Sequence, residues 1–215
     1  MDIVDPSVER YMRGLLDRHD EAVLLEMEAE AAAREFPIVE RLVGVTLEVL
    51  ARSVGARRVV ELGSGFGYSG YWHARAVGPG GELHLTDGDP KNEEQAIDYL
   101  GRAGLLQPVR FHVGDAVETL RSLEGHFDVV YCDIDKEGYP EAWREARERV
   151  RSGGLYVCDN VLWYGRVAKD ELEPDERATT RAILEHNEMI ADDERYLSTI
   201  VPTRDGVMVA LRLPA

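Results

Sequence analysis

Two short runs hold much of the chemistry available to this chain. One reads Cys132-Asp133-Ile134-Asp135-Lys136, the other Cys158-Asp159-Asn160, and each closes an apolar stretch, FDVVYC and GLYVC. If those stretches are neighbouring parallel strands, their ends meet on one rim, the crevice where open α/β sheets bind ligands. Asp133, Asp159 and Asn160 would then offer two carboxylates and an amide carbonyl. These are hard oxygen ligands that suit Mg²⁺ and leave about three octahedral positions for water and substrate. One acid at a strand end means little, because such residues often cap the next helix. Acids at two adjacent ends make a stronger case.

A second stretch, VVELGSGFGYSGYW from Val59 to Trp72, asks for a nucleoside. Gly65, Gly67 and Gly70 match the dinucleotide pattern G-x-G-x-x-G. Yet the preceding strand ends in Glu61. A nicotinamide domain places pyrophosphate at this helix N-terminus, and an acid there would repel it. S-adenosylmethionine (SAM) has no phosphate; its ammonium and sulfonium both favour a nearby carboxylate. Glu61 therefore argues for SAM, with Gly63, Gly65 and Gly67 giving the room and the turn. Asp87, at the next strand end, can accept both ribose hydroxyls, a feature of NAD and SAM sites alike. Asp89, just before Pro90, suits the turn. In Gly114-Asp115-Ala116 the acid can take the adenine amino group or cap the following helix.

These residues need a scaffold, and the chain alternates in a way that supplies one. Helical patterns cover Ser7 to about Arg34, with Ser7 as cap, and Val39 to Ser53, with Phe36-Pro37 between. RRVVEL, ELHLT, VRFHV, FDVVYC and GLYVC read as five strands. Helices are expected over Tyr68–Val77, Lys91 to about Ala103, Ala116 to Leu123, Tyr139–Val150 and Asp175–Ala191. RYLSTIV and GVMVALRL flank a turn at Arg204-Asp205-Gly206, an antiparallel hairpin. The predicted fold class is α/β: a Rossmann-like, seven-stranded, mostly parallel sheet with helices on both faces, a C-terminal antiparallel hairpin and N-terminal helices. One domain is expected, with residues 1–55 as a helical cap and 56–215 as the core.

From about Gly44 onward the sequence resembles the cation-dependent class I O-methyltransferases of the catechol and caffeoyl-CoA type. The resemblance runs through ARRVVELGSGFGYS, LTDGDP, VGDA, FDVVYCDIDKEGY, GGLYVCDNVLWYGRV and DGVMVALR. It implies a SAM site at Glu61, Gly63, Ser64, Gly65, Tyr68, Ser69, Asp87, Gly88, Asp115, Ala116 and Asp133. It implies a divalent-cation site, Mg²⁺ or another, at Asp133, Asp159 and Asn160. It also implies catalysis by Lys136, as base beside the reacting hydroxyl, and by Asp133. A dication nearby should depress the Lys136 pKa so that the neutral amine takes the proton. The acceptor would be a small aromatic hydroxyl compound, and the assembly a homodimer. Trp163 and Tyr164 are expected to wall the acceptor pocket. Three places depart from the family: Gly88 replaces a frequent apolar residue against adenine, Asp135 adds an acid, and REFPIVERLVG is unusual.

Composition narrows the alternatives. The 215 residues carry 41 acids against 25 Lys plus Arg, a formal charge of −16, and only Lys91, Lys136 and Lys169 are lysines. Such acidity suits a solvated surface in concentrated salt, a halophilic cytoplasmic protein. It also disfavours nucleic acid, which weakens a second reading, a tRNA hydroxyuridine O-methyltransferase of the same family. A third reading, an NAD-binding oxidoreductase, is disfavoured by Glu61 and the hairpin. No apolar run approaches the about 18 residues of a membrane span. MDIVDPSVERYMRGLL is not a signal-peptide pattern. Cys132 and Cys158 read as buried reduced thiols, and the six histidines show no ligand spacing.

Overall fold

The structure, a computed structural model, describes residues 4–16 and 21–214. Its N-terminal part is three helices, α1 (Pro6–Gly14), α2 (Ala22–Arg34) and α3 (Glu40–Ser53). The single helix expected over 7–34 is therefore two, with residues 17–20 outside the described set. The cap is Asp5, not Ser7: Asp5 Oδ1 accepts the Ser7 backbone N–H at 2.7 Å. Pro6, which has no N–H to cap, starts the helix one residue earlier.

The remainder alternates: β1 (Arg58–Leu62), α4 (Tyr68–Val77), β2 (Glu82–Asp87), α5 (Pro90–Arg102), β3 (Val109–Val113), α6 (Ala116–Ser122), β4 (Phe127–Cys132), α7 (Tyr139–Arg149), β5 (Val150–Cys158), α8 (Arg177–Ala191), β6 (Tyr196–Val201) and β7 (Val207–Arg212). The strands form one sheet in the order β3-β2-β1-β4-β5-β7-β6. All pairs are parallel except β5–β7 and β6–β7, which are antiparallel. The Rossmann-like α/β sheet with its C-terminal hairpin is thus the observed fold.

Each strand sends alternate side chains to opposite faces. Val59, Val129, Tyr131, Leu155 and Val157 point to one face, under α2, α3, α4 and α5, where Leu24, Leu47, Trp72 and Leu100 meet them. Val60, Leu62, Val130, Cys132, Tyr156 and Cys158 point to the other, under α6, α7 and α8, against Leu120, Trp143 and Ile183. Both faces are covered, so these parallel strands read as continuous apolar runs rather than alternating ones. Helices α3 and α4 approach closely at Gly44, where a Cβ would collide with the Trp72 indole.

β5 begins at Val150, four residues before the strand expected from GLYVC. Val150 pairs with Phe127 across an irregularity in the β4 register, so tertiary pairing overrides the Ser152-Gly153-Gly154 turn signal. Further along, Cys132 stands opposite Cys158. The residues that follow each cysteine therefore leave the sheet at one level.

Candidate active site

The glycine loop leaves β1 at Leu62 and turns into α4. Gly63 has φ +83°, and a Cβ there would run into the Asp133 carbonyl. Only glycine allows both the left-handed turn and the close pass of the β4 end. The turn is held from β2: Gly63 N–H donates to Thr86 Oγ1 at 3.2 Å, Ser64 N–H to the Thr86 carbonyl at 2.7 Å, and Gly65 N–H to Asp87 Oδ2 at 3.0 Å. Phe36, from the REFPIVE segment, lies over Gly65 and packs edge-on against Phe66 with ring centres 5.1 Å apart.

Glu61 is fully buried. Its two oxygens face α4, one accepting Ser69 Oγ–H at 2.5 Å and the other 2.8 Å from His73 Nδ1. Glu61 thus fixes Ser69, in the first turn of α4, with His73 one turn on. Tyr68 points the other way, its hydroxyl donating to Glu28 Oε1 at 2.7 Å and so joining α4 to α2. Asp87 Oδ1 accepts from Asp89 N–H at 2.8 Å and Asn92 Nδ2 at 2.9 Å. Gly88 beside it is exposed, with open space where a side chain would stand. Asp115 caps α6 through Glu118 N–H at 2.8 Å and is exposed, with Ala116 half-buried next to it.

The rim of β4 and β5 gathers the acids. Asp159 is 2% exposed, and its Oδ1 accepts the Asn160 N–H at 2.8 Å. Burial, then the neighbouring Asp133, push the Asp159 carboxyl up to about 8. Asp133 is raised too, chiefly by burial, although Lys136 opposes the shift. The Lys136 ammonium donates to Asp133 Oδ1 at 2.8 Å and to the Ile134 carbonyl at 3.3 Å, and lies 5.0 Å from the centre of the Tyr139 ring. Burial is the largest single influence on Lys136 and pushes it down. The charge and hydrogen bond of Asp133 outweigh it, so the lysine lies above its ordinary value. The depressed value expected from the sequence required a dication, which would compete for Asp133. Among the described residues no three His, Cys, Asp or Glu are arranged to hold a metal. The candidate donors are instead two carboxylates and one amide. They fit a hard cation: two neighbouring acids, Asp159 buried and Asp133 half-buried, are both raised by desolvation, a strain that nearby positive charge relieves.

After Asn160 the chain makes a short 3₁₀ segment, Trp163–Ala168, in which Tyr164 and Gly165 are left-handed. Asn160, Trp163 and Tyr164 have φ of 56°, 47° and 53°, conformations that cost non-glycine residues about 1–3 kcal/mol each. Trp163 leans on the apolar cluster beneath α8, whereas Tyr164 is 56% exposed. The Arg166 guanidinium sits 5.5 Å and 5.2 Å from their ring centres.

Glu61, Ser69, Asp87, Asp133, Lys136, Asp159 and Asn160 all lie along the carboxyl ends of β1, β2, β4 and β5. Sequence reasoning passed over three residues that support these positions or the segment after Asn160. His73 grips Glu61; its spacing of four from Ser69 puts both on one face of α4. Tyr139 donates its hydroxyl to the Asp159 carbonyl at 2.8 Å. Asp205, read as a turn residue, is buried and accepts the Tyr164 N–H.

Comparison with known proteins places this arrangement among relatives. A family profile described as O-methyltransferase matches residues 18–213. The catechol O-methyltransferase of Niastella koreensis is 35% identical over 82% of this chain and 80% of its own length. That of Mycobacterium tuberculosis is 33% identical over 91% and 90%. The crystal structure of the O-methyltransferase TomG from Streptomyces achromogenes, in complex with SAM, superposes with a TM-score of 0.85 at 31% identity, covering 97% of this chain and 96% of the other.

Proposed function

This chain belongs to the O-methyltransferase family, and from that premise we propose that it moves a methyl group from SAM to one hydroxyl of a small catechol-type acceptor, assisted by a divalent cation. Family membership sets the nicotinamide reading aside. The observation that carries the proposal is the rim itself: Asp133 and Asp159 one residue beyond paired strand ends, Asn160 next to Asp159, Lys136 on Asp133, and Asp133 against the glycine loop at Gly63.

When bound, SAM supplies an electrophilic methyl on sulfur, and a cation held by Asp133, Asp159 and Asn160 supplies charge that acidifies a hydroxyl. The chain's own residues do the rest. Glu61 holds Ser69 at the start of α4, where both suit the amino-acid end of SAM. Asp87 keeps one lone pair on Oδ2, beyond the one that takes the Gly65 N–H, for a ribose hydroxyl, and Asp115 offers its second oxygen to adenine. An Asp133 whose charge is shared holds the Lys136 proton less tightly, so the neutral amine can accept the proton of the acceptor hydroxyl. Trp163 and Tyr164 give a flat acceptor a face to stack on. Alignment of oxygen, methyl and sulfur then supplies much of the rate.

The test is transfer of labelled methyl from SAM to catechol with Mg²⁺ and with EDTA. Transfer that EDTA abolishes and Mg²⁺ restores is the expected result. Transfer that persists in EDTA rejects the cation role, and SAM binding without transfer to any catechol rejects the acceptor class.

A further inference from the structure

We propose that Asp205 is a positioning residue for the acceptor site, its carboxylate pinning the strained Trp163–Tyr164 turn in the conformation that forms the acceptor wall. The inference rests on the functional reading above only in taking that turn as the wall.

Three hydrogen bonds hang the segment after Asn160 on the β6–β7 turn. Val161 N–H donates to the Gly206 carbonyl at 3.1 Å and Leu162 N–H to the Asp205 carbonyl at 2.9 Å; Tyr164 N–H donates to Asp205 Oδ1. The first two use backbone acceptors and survive any side chain at 205. The third alone depends on the residue there, and it lands on one of the left-handed positions. Left-handed backbone in a bulky L-residue persists only where its surroundings over-determine it. The anchor is itself fixed: Arg204 Nη2 lies 2.8 Å from Glu40 Oε1 at the start of α3, and a Cβ at Gly206 would collide with Leu162.

A fold-stabilising role accounts poorly for this carboxylate. Asp205 is 7% exposed, yet its Oδ2 finds no hydrogen-bond partner among the described residues. A buried carboxylate with one idle oxygen works against stability, and burial raises its pKa accordingly. Removing it should therefore spare the fold and release the turn, a separation that a core residue would not give.

The experiment compares wild type, Asp205→Ala and Asp205→Asn by acceptor and SAM kinetics, amide hydrogen exchange over 160–168, and melting temperature. Asp205→Ala should raise the catechol KM about tenfold and speed exchange at the Tyr164 amide by a similar factor, the effect of one net hydrogen bond. The SAM KM and the melting temperature should hold. Asp205→Asn keeps an amide oxygen for Tyr164 N–H and should restore both quantities to within about threefold. Unchanged exchange and KM in Asp205→Ala overturns the proposal. So does Asp205→Asn failing as badly as Ala, which would assign the effect to charge, or loss of melting temperature along with every kinetic constant. If wild type methylates no catechol, the activity reading falls, and the exchange measurement alone decides the role of Asp205.

Discussion

In the proposed mechanism, the contact between Lys136 and Asp133 holds the reaction back until its partners arrive. Without a cation their ion pair keeps the lysine protonated, and a protonated amine is no base. Lys136→Met keeps the length of the stem and removes the amine. It should lower kcat by about 10²–10⁴, the usual range for losing general acid–base help, while calorimetry finds SAM affinity unchanged. A kcat within a few fold of wild type would remove Lys136 from the proton-transfer role. Asp133 and Asp159 could be placed on one rim from the sequence because each directly follows a strand-like run, whereas Lys136 drew its role from the family resemblance. His73 and Asp205 were not legible. The first acquires meaning only when α4 lies over β1 and turns its Ser69–His73 face onto Glu61. The second is one turn acid among many until the hairpin folds back beside Asn160.

At the level of elements, α8 is bound to β5 through a buried polar link. His186 Nε2 is 2.9 Å from the Tyr156 hydroxyl and its Nδ1 is 3.1 Å from Asn187 Oδ1. Neutral imidazole satisfies both, donating at Nδ1 and accepting at Nε2. Burial pushes His186 down from 6.5 to about 4. A depressed histidine contributes stability that is complete above its ordinary pKa and is lost as pH falls through the folded value. Between pH 6.5 and 4 the loss should reach about 3 kcal/mol, at 1.36 kcal/mol per unit. Urea titrations at pH 7 and 5 should show His186→Gln losing less stability than wild type over that interval. An equal loss in both would deny the link. His84 and His112, lowered by burial as well, add to the acid arm in both proteins. Strand and helix identities were legible because period and turn residues agreed. The start of α1 at Pro6 and the early start of β5 were not, since the first depends on Pro6 and the capping Asp5, and the second on pairing with Phe127.

Across the whole molecule the charge of −16 acts on every element at once. Many acids are matched by arginine in exposed pairs such as Arg102–Glu26 and Arg121–Glu141, each worth little. The unmatched excess repels itself, and salt screens that repulsion over about 10 Å at 0.1 M and less above it. The melting temperature should therefore rise between 0.1 M and 2 M KCl. A flat or falling curve would show that screening of the pairs prevails, and would count against an origin in concentrated salt. The sheet order has a consequence for synthesis. Among the described residues β6 pairs with β7 alone, and β7 lies between it and β5. A nascent chain that has exposed everything through Val201 thus carries a finished strand with nowhere to dock, and leaves the flank of β5 open. The hairpin that brings Asp205 to the Trp163–Tyr164 turn is the step that seals that flank, so the sheet and the anchor of that turn reach completion together or not at all.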